Sequence, residues 1–212
     1  MTRSPPASSR WRVAAPSPDA APVTAMCRMN ATNYGVPGVL DRQIAYVTAT
    51  DARFGRGLAD ALVAAGATLT DSLDRVDVLV IADIEPVERP VEALDEAAVD
   101  MAWDRPVRDA LTLMQAARAG GASRVIVVTP SVAAVGRPGL TATCAAIEAK
   151  RLMALSAARQ WRTHGVTVNC LATSLDPHPE SIGPTVVFLA SPASHYLTGA
   201  TLSIDGGSEL AL

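Results

Sequence analysis

The chain has 212 residues, and 18 basic against 21 acidic side chains leave a net charge of −3. That length suits one domain, and 49% hydrophobic residues supply a core and exclude wholesale disorder. With aromatics at 4%, the core has to be built of Ala, Val, Leu and Ile. A pI near 5.6 argues against nucleic acid as a partner. The longest aliphatic runs, 78–82 and 186–190, are far shorter than the roughly 20 residues of a membrane span. No basic end meets a sustained apolar run near the start, so a secretory signal is not indicated. Cys27, Cys144 and Cys170 are odd in number and widely spaced, as expected for free thiols of a cytoplasmic protein. No Cys/His pair has the spacing of a metal site.

Residues 1–40 hold six of the fifteen prolines and carry a local charge of +3. They read as a disordered Pro/Ala/Ser-rich tail, with Met26 or Met29 as alternative starts, and 41–212 as a single domain. From about residue 42 the pattern is regular. A short β-like run at 43–48 is followed by a helix at 54–65, with Leu58, Leu62 and Ala65 on one stripe and Gly66 as its stop. A buried strand follows at 76–82. Residues 91–119 read as mostly helical, interrupted near Pro106 and stopped by Gly120-Gly121. Then come a buried strand at 124–129, a long helix at 141–163, a strand at 166–171, a helix at 181–190 and a final strand at 200–204. Strands alternating with helices predict an α/β fold with a mostly parallel sheet of about five or six strands.

Three stretches carry a resemblance. Gly165-Val166-Thr167-Val168-Asn169, Val132-Ala133-Ala134-Val135-Gly136-Arg137-Pro138-Gly139, and the closing Thr198-Gly199-Ala200-Thr201-Leu202-Ser203-Ile204-Asp205-Gly206-Gly207 resemble short-chain dehydrogenases/reductases over about residues 43–207. The resemblance implies a Rossmann-like three-layer fold, NAD or NADP as cofactor, and oxidation or reduction of alcohols and carbonyls. It also implies a shortened member, because only 68–75 separate Ala67 from Val76, where the family spends about two strand–helix units.

The functional positions depart from the pattern one after another. The glycine-rich turn falls on Thr48-Ala49-Thr50-Asp51-Ala52-Arg53-Phe54-Gly55, leaving Thr48 and Gly55 as vestiges. Those glycines allow close approach of backbone to a pyrophosphate; Ala49 adds a methyl, Arg53 a long cation, and Asp51 a negative charge where phosphate is received. Gly55 reads first as a helix-packing residue. Asp71 could imitate the residue that reads the adenine ribose, but the adenosine half of the site is expected to be lost. Ungapped alignment puts Pro130 at the family's Ser position with Ser131 beside it, Thr143 at its Tyr and Ile147 at its Lys. Lys150 lies further along the helix, outside the i, i+4 relation to Thr143. No Asn occurs between Asn33 and Asn169, and the strand end that is Asn-Asn-Ala-Gly in the family reads Ile81-Ala82-Asp83-Ile84. The substrate lid is cut to 175–180.

No catalytic set is therefore assigned, and no cofactor is expected. The first reading is a catalytically degenerate member acting as a structural or regulatory partner. It would form a homo- or hetero-oligomer with an active relative through helices 141–163 and 181–190. The alternative is an NAD(P)-dependent oxidoreductase, or a cofactor-free activity, with a rebuilt site drawn from Ser131, Thr143, Cys144 and Lys150. A third is a decayed product with no stable fold alone. His164, His178 and His195 read as surface or helix-end residues. Two windings stay open. Either the first helix crosses directly to the next strand and uncovers one sheet face, or residues 67–70 form a stub strand that keeps the family's winding.

Overall fold

The computed structural model describes residues 38–50, 52–83 and 86–208. Residues 1–37 of the tail expected at 1–40, Cys27 among them, and Asp51, Ile84, Glu85 and the C-terminal 209–212 lie outside the described residues. Six parallel strands form one sheet in the order β2-β1-β3-β4-β5-β6. They are β1 (Ile44–Val47), β2 (Thr68–Leu69), β3 (Val78–Ile81), β4 (Arg124–Pro130), β5 (Thr167–Thr173) and β6 (Thr201–Ile204). Between them run α1 (Arg53–Ala64), the short α2 (Glu96–Val99), α3 (Arg105–Ala119), α4 (Thr141–Trp161) and α5 (Pro179–Ala190). The domain begins earlier than residue 41, because Leu40 is fully buried and its N–H donates to the Ala65 carbonyl at 2.9 Å.

Central strands are buried on both faces, and their residues alternate between two cores. Ala45, Val78, Val80, Ile126, Val128 and Leu171 meet α1 and α5. Leu79, Ile81, Val125, Val127, Val168 and Cys170 meet α3 and α4. This is the three-layer Rossmann-like arrangement, and neither face is left bare. Of the two windings the structure adopts the stub. Thr68 and Leu69 pair beside Ile44 and Ala45 on the outer side of β1, while Ala45–Val47 pair with Val78–Val80 on the other. The second strand is thus shortened rather than deleted, and the switch point survives between β1 and β3.

Returning from β2 to β3 takes only residues 70–77, without a helix. Local side chains fold that link: Ser72 N–H donates to Thr70 Oγ1 at 3.1 Å and Asp74 N–H to Ser72 Oγ at 3.1 Å. Asp77 then grips the first residue of β1 from both sides. Its carboxylate accepts from Ile44 N–H at 2.8 Å, and its own N–H donates to the Ile44 carbonyl at 2.8 Å.

Helix α1 lies close to its neighbours because it carries glycine where they touch. A Cβ on Gly57 would run into Pro179 of α5, and one on Gly183 would come within 3.0 Å of Ala61. A Cβ on Gly55 would strike the Ala49 and Thr48 carbonyls. Overpacking of this sort costs roughly 1–3 kcal/mol. Gly55→Ala is therefore expected to lower unfolding stability by about 2 kcal/mol in a urea titration; an unchanged midpoint would contradict this packing.

Candidate functional site

The carboxyl ends of β1 and β3 open into a crevice at the switch point, the place where open α/β sheets bind ligands. Its β1 wall is the turn that starts at Thr48. Thr48 N–H donates to the Val80 carbonyl at 3.0 Å, and Thr48 Oγ1 accepts from Ala82 N–H at 2.8 Å, so the turn is tied to β3. Ala49 follows with φ +53°, the left-handed conformation that glycine adopts without strain. The family's first glycine is gone, but its backbone shape is kept. Ala52 caps α1 without a side-chain hydrogen bond and no acidic residue stands in the first turn of the helix. Arg53 does not block the crevice as its position in the sequence suggests. It is exposed and lines a shallow hollow with Arg56, Gly57, Asp60, Pro179 and Glu180. Gly55 performs the close packing of helix on turn.

A cleft of about 590 Å³ occupies the crevice on the α4 side, between Phe54, Ala82 and Asp83 on one wall and Thr143, Ala146, Ile147 and Lys150 on the other. Met101, Ala102, Arg105 and Asp109 close its end. The π-helical turn Asp100–Asp104 just before α3 brings Met101 and Ala102 there. A second hollow of about 480 Å³ continues under the turn, lined by Thr48, Ala49, Thr50, Asp83, Asp109 and Thr112. Asp83 and Asp109 thus face both spaces. Asp71 follows β2 and lines a third hollow of about 530 Å³ with Thr50, Arg56, Asp60 and Leu69. The adenosine side is therefore cut back to a stub strand and its following turn rather than removed.

Thr143 stands in the first turn of α4, and its hydroxyl is engaged both as donor and as acceptor. It donates to the Val87 carbonyl and accepts from the Val87 N–H, both at 3.1 Å. A second tie, Arg89 N–H to the Gly139 carbonyl at 2.7 Å, holds the same segment against the start of α4. The residue at the family's tyrosine position is a clamp on the chain that follows β3. Ile147 presents an apolar surface one turn on. Lys150 shares this face and is only 5% exposed. Burial pushes its ammonium below the usual lysine range, partly offset by the Asp83 charge. No ion pair among the described residues includes Lys150.

Ser131 is not brought to this cleft. Pro130 ends β4 and touches both sides, but Ser131 lines a separate space of about 910 Å³ with Glu148, Arg151, Thr201 and Asp205. Ser131 Oγ is buried there without a hydrogen-bond partner, while Arg151 is engaged by Glu148 at 2.7 Å. Cys144 is half-buried and lines neither cleft. Cys170 lies in the core, where burial pushes its thiol up to about 11, leaving it inert at neutral pH. His164, His178 and His195 are exposed. Among the described residues, no cluster of three or more His, Cys, Asp or Glu is placed to hold a metal. None of the described helices is long and apolar enough to cross a membrane. Asp109, Arg105 and Phe54 were not singled out by sequence, because only the packing of α3 and α1 brings them to the crevice.

Thr143→Val keeps the shape and removes both bonds to Val87. It is expected to cost roughly 1–3 kcal/mol of unfolding free energy, the penalty for orphaning partly buried backbone groups; no loss would show the clamp to be dispensable. For Lys150 the sign is opposite. The folded-state value is lowered, so the unfolded chain binds the proton more readily and stability rises with pH up to the ordinary value of 10.5. Asp83, Asp109 and Arg105 are the charged groups facing it across the cleft, and Arg105 is paired with Asp100 at 3.0 Å. Lys150→Met is expected to melt higher than the unaltered chain at neutral pH, with the gap closing toward pH 10.5; a gap independent of pH would contradict the burial cost.

No family model matches the chain. Among characterised proteins it is 30% identical to the short-chain reductase NovJ of Streptomyces niveus over 190 aligned residues, covering 71% of each chain. It is 33% identical to the 3-oxoacyl-[acyl-carrier-protein] reductase FabG of Rickettsia bellii over 125 residues, 47% of this chain and 51% of that one. Among solved structures, one described as a short-chain alcohol dehydrogenase from Sinorhizobium meliloti superposes with a TM-score of 0.70 at 18% identity, covering 83% of this chain and all of that one. One described as a β-ketoacyl-ACP reductase gives 0.70 at 22%, covering 81% and 100%. Their low identity makes these two structures likenesses of fold. With the NovJ match spanning more than two thirds of both chains, the protein belongs to the short-chain dehydrogenase/reductase family.

Proposed function

We propose that this chain has left behind the family's tyrosine–lysine proton transfer and serves as a non-catalytic structural or regulatory partner in an oligomer, of its own kind or with an active relative. The observation that carries this reading is the Thr143 hydroxyl. Both of its hydrogen-bonding directions are taken up by the Val87 backbone. A threonine alcohol is in any case far more basic than a phenol, and Ile147 offers no charge to tune it. Surfaces suited to a partner remain on α4 and α5. Ala145, Ala149 and Leu152 share one face of α4, with Leu152 52% exposed, and Phe188 is 42% exposed on α5. The free, buried thiol of Cys170 suits the cytoplasm.

The family generally uses NAD or NADP, and the residues present do not fit a dinucleotide held in the family's manner. The Asp83 and Asp109 carboxylates line the hollow beneath the turn, where a diphosphate would meet like charge. The Ala49 methyl stands where the backbone should be bare, and among the described residues no strand lies beyond the two-residue β2 to wall an adenosine. One observation favours the alternative reading, an oxidoreductase with a rebuilt site: Ala49 keeps a left-handed backbone, the conformation a glycine at that turn adopts without strain.

Titration of the purified chain with NADH and NADPH, followed by fluorescence and calorimetry, separates the two. The partner reading predicts no saturable binding up to millimolar cofactor. Saturable binding in the micromolar range would overturn it in favour of the oxidoreductase.

A further inference from the structure

We propose that Lys150 is a nucleophilic attachment point for a neutral carbonyl compound, an aldehyde or ketone held in the crevice as an imine. This inference does not depend on the partner role proposed above.

The chain contains one lysine against seventeen arginines. Every other basic side chain apart from the three histidines is therefore a guanidinium, which stays charged; the one side-chain amine is Lys150. It does not sit on the surface, where lysine ordinarily belongs. It is 5% exposed and faces the 590 Å³ cleft from α4. No carboxylate among the described residues is close enough to form an ion pair with it. A buried amine without such a partner is favoured in its neutral form, the form that is nucleophilic.

The cleft is of a size for a small molecule. Its lining includes apolar Phe54, Ala146, Ile147 and Met101, and among the described residues the carboxylates that line it are Asp83 and Asp109, beside Arg105, which is paired with Asp100. That combination repels anions and admits a neutral, partly apolar ligand. A carbonyl group is the neutral function that an unprotonated amine captures. The Nζ lone pair adds to the carbonyl carbon, forming the C–N bond, while the carbonyl π pair moves to oxygen, which takes up a proton. Loss of that oxygen as water, with a proton from nitrogen, leaves the C=N bond. Amine plus carbonyl gives imine plus water, and no oxidant or reductant takes part in the capture.

The test uses the full chain with benzaldehyde as probe and sodium borohydride to fix any imine as a benzylamine, read by peptide mass mapping. With a single lysine, the only competing amine is the chain's N-terminus. The expected result is benzylation at Lys150 severalfold faster in the folded protein than in urea, since burial in the cleft favours the neutral amine. Ile147→Phe, which narrows the cleft without touching the amine, is expected to slow labelling severalfold in a chain that still melts cooperatively. Labelling confined to the N-terminus, labelling of Lys150 no faster folded than in urea, or labelling untouched by Ile147→Phe would overturn the proposal.

Discussion

The fold depends on two residues pairing on the outer side of β1. Thr68 N–H donates to the Gln43 carbonyl at 2.9 Å and Thr70 N–H to the Ala45 carbonyl at 3.0 Å. This stub sends the chain outward before it returns to β3. Winding first one way and then the other puts α1 with α5 on one sheet face and α3 with α4 on the other. Without it, α1 would fall on the same face as the later helices, and the crevice at the switch point would close. Parallel strands ordinarily need a crossover of a dozen or more residues. Here residues 70–77 suffice, because the Ser72 and Asp74 turns compact the link and Asp77 fastens its end to Ile44.

Much of this was legible in the sequence. Buried strands such as Val78–Ile81 and Arg124–Pro130 announce themselves as aliphatic runs, and α1 by its Leu58–Leu62 stripe. The winding was not legible, because a two-residue strand has no periodicity to read; residues 67–70 fit either path. In sequence Leu40 reads as part of the tail because it follows a proline-rich stretch, and only its bond to Ala65 reveals that it closes the core. Arg53 reads as an obstruction in sequence, which gives its position on the turn and not its direction. On α1 the side chain turns outward to the α5 side.

The site shows a similar division. The substitutions at Thr143 and Ile147 are visible in the chain, but the use made of the threonine is not. Its partner Val87 lies 56 residues away, and no local pattern joins them. Lys150 looked out of place in a one-dimensional comparison with the family's tyrosine and lysine. On the helix it shares a face with Thr143 and Ile147, so all three border one cleft. Ser131, adjacent in sequence to the family's serine position, opens instead onto the space beside β6. Helix and strand direction, rather than spacing, decide which of these residues meet.

The crevice thus persists with a different occupancy of its walls: a clamp at Thr143, an apolar Ile147, and a lone buried amine facing two carboxylates. Its central element is the clamp, and amide hydrogen exchange at Val87 in the unaltered protein tests it most directly. The account predicts that this amide, hydrogen-bonded to Thr143 Oγ1, exchanges slowly and only as the segment lifts from α4. Exchange at the rate of an unprotected peptide would show that the Thr143 hydroxyl is free, and would return that position to the list of groups able to take part in chemistry.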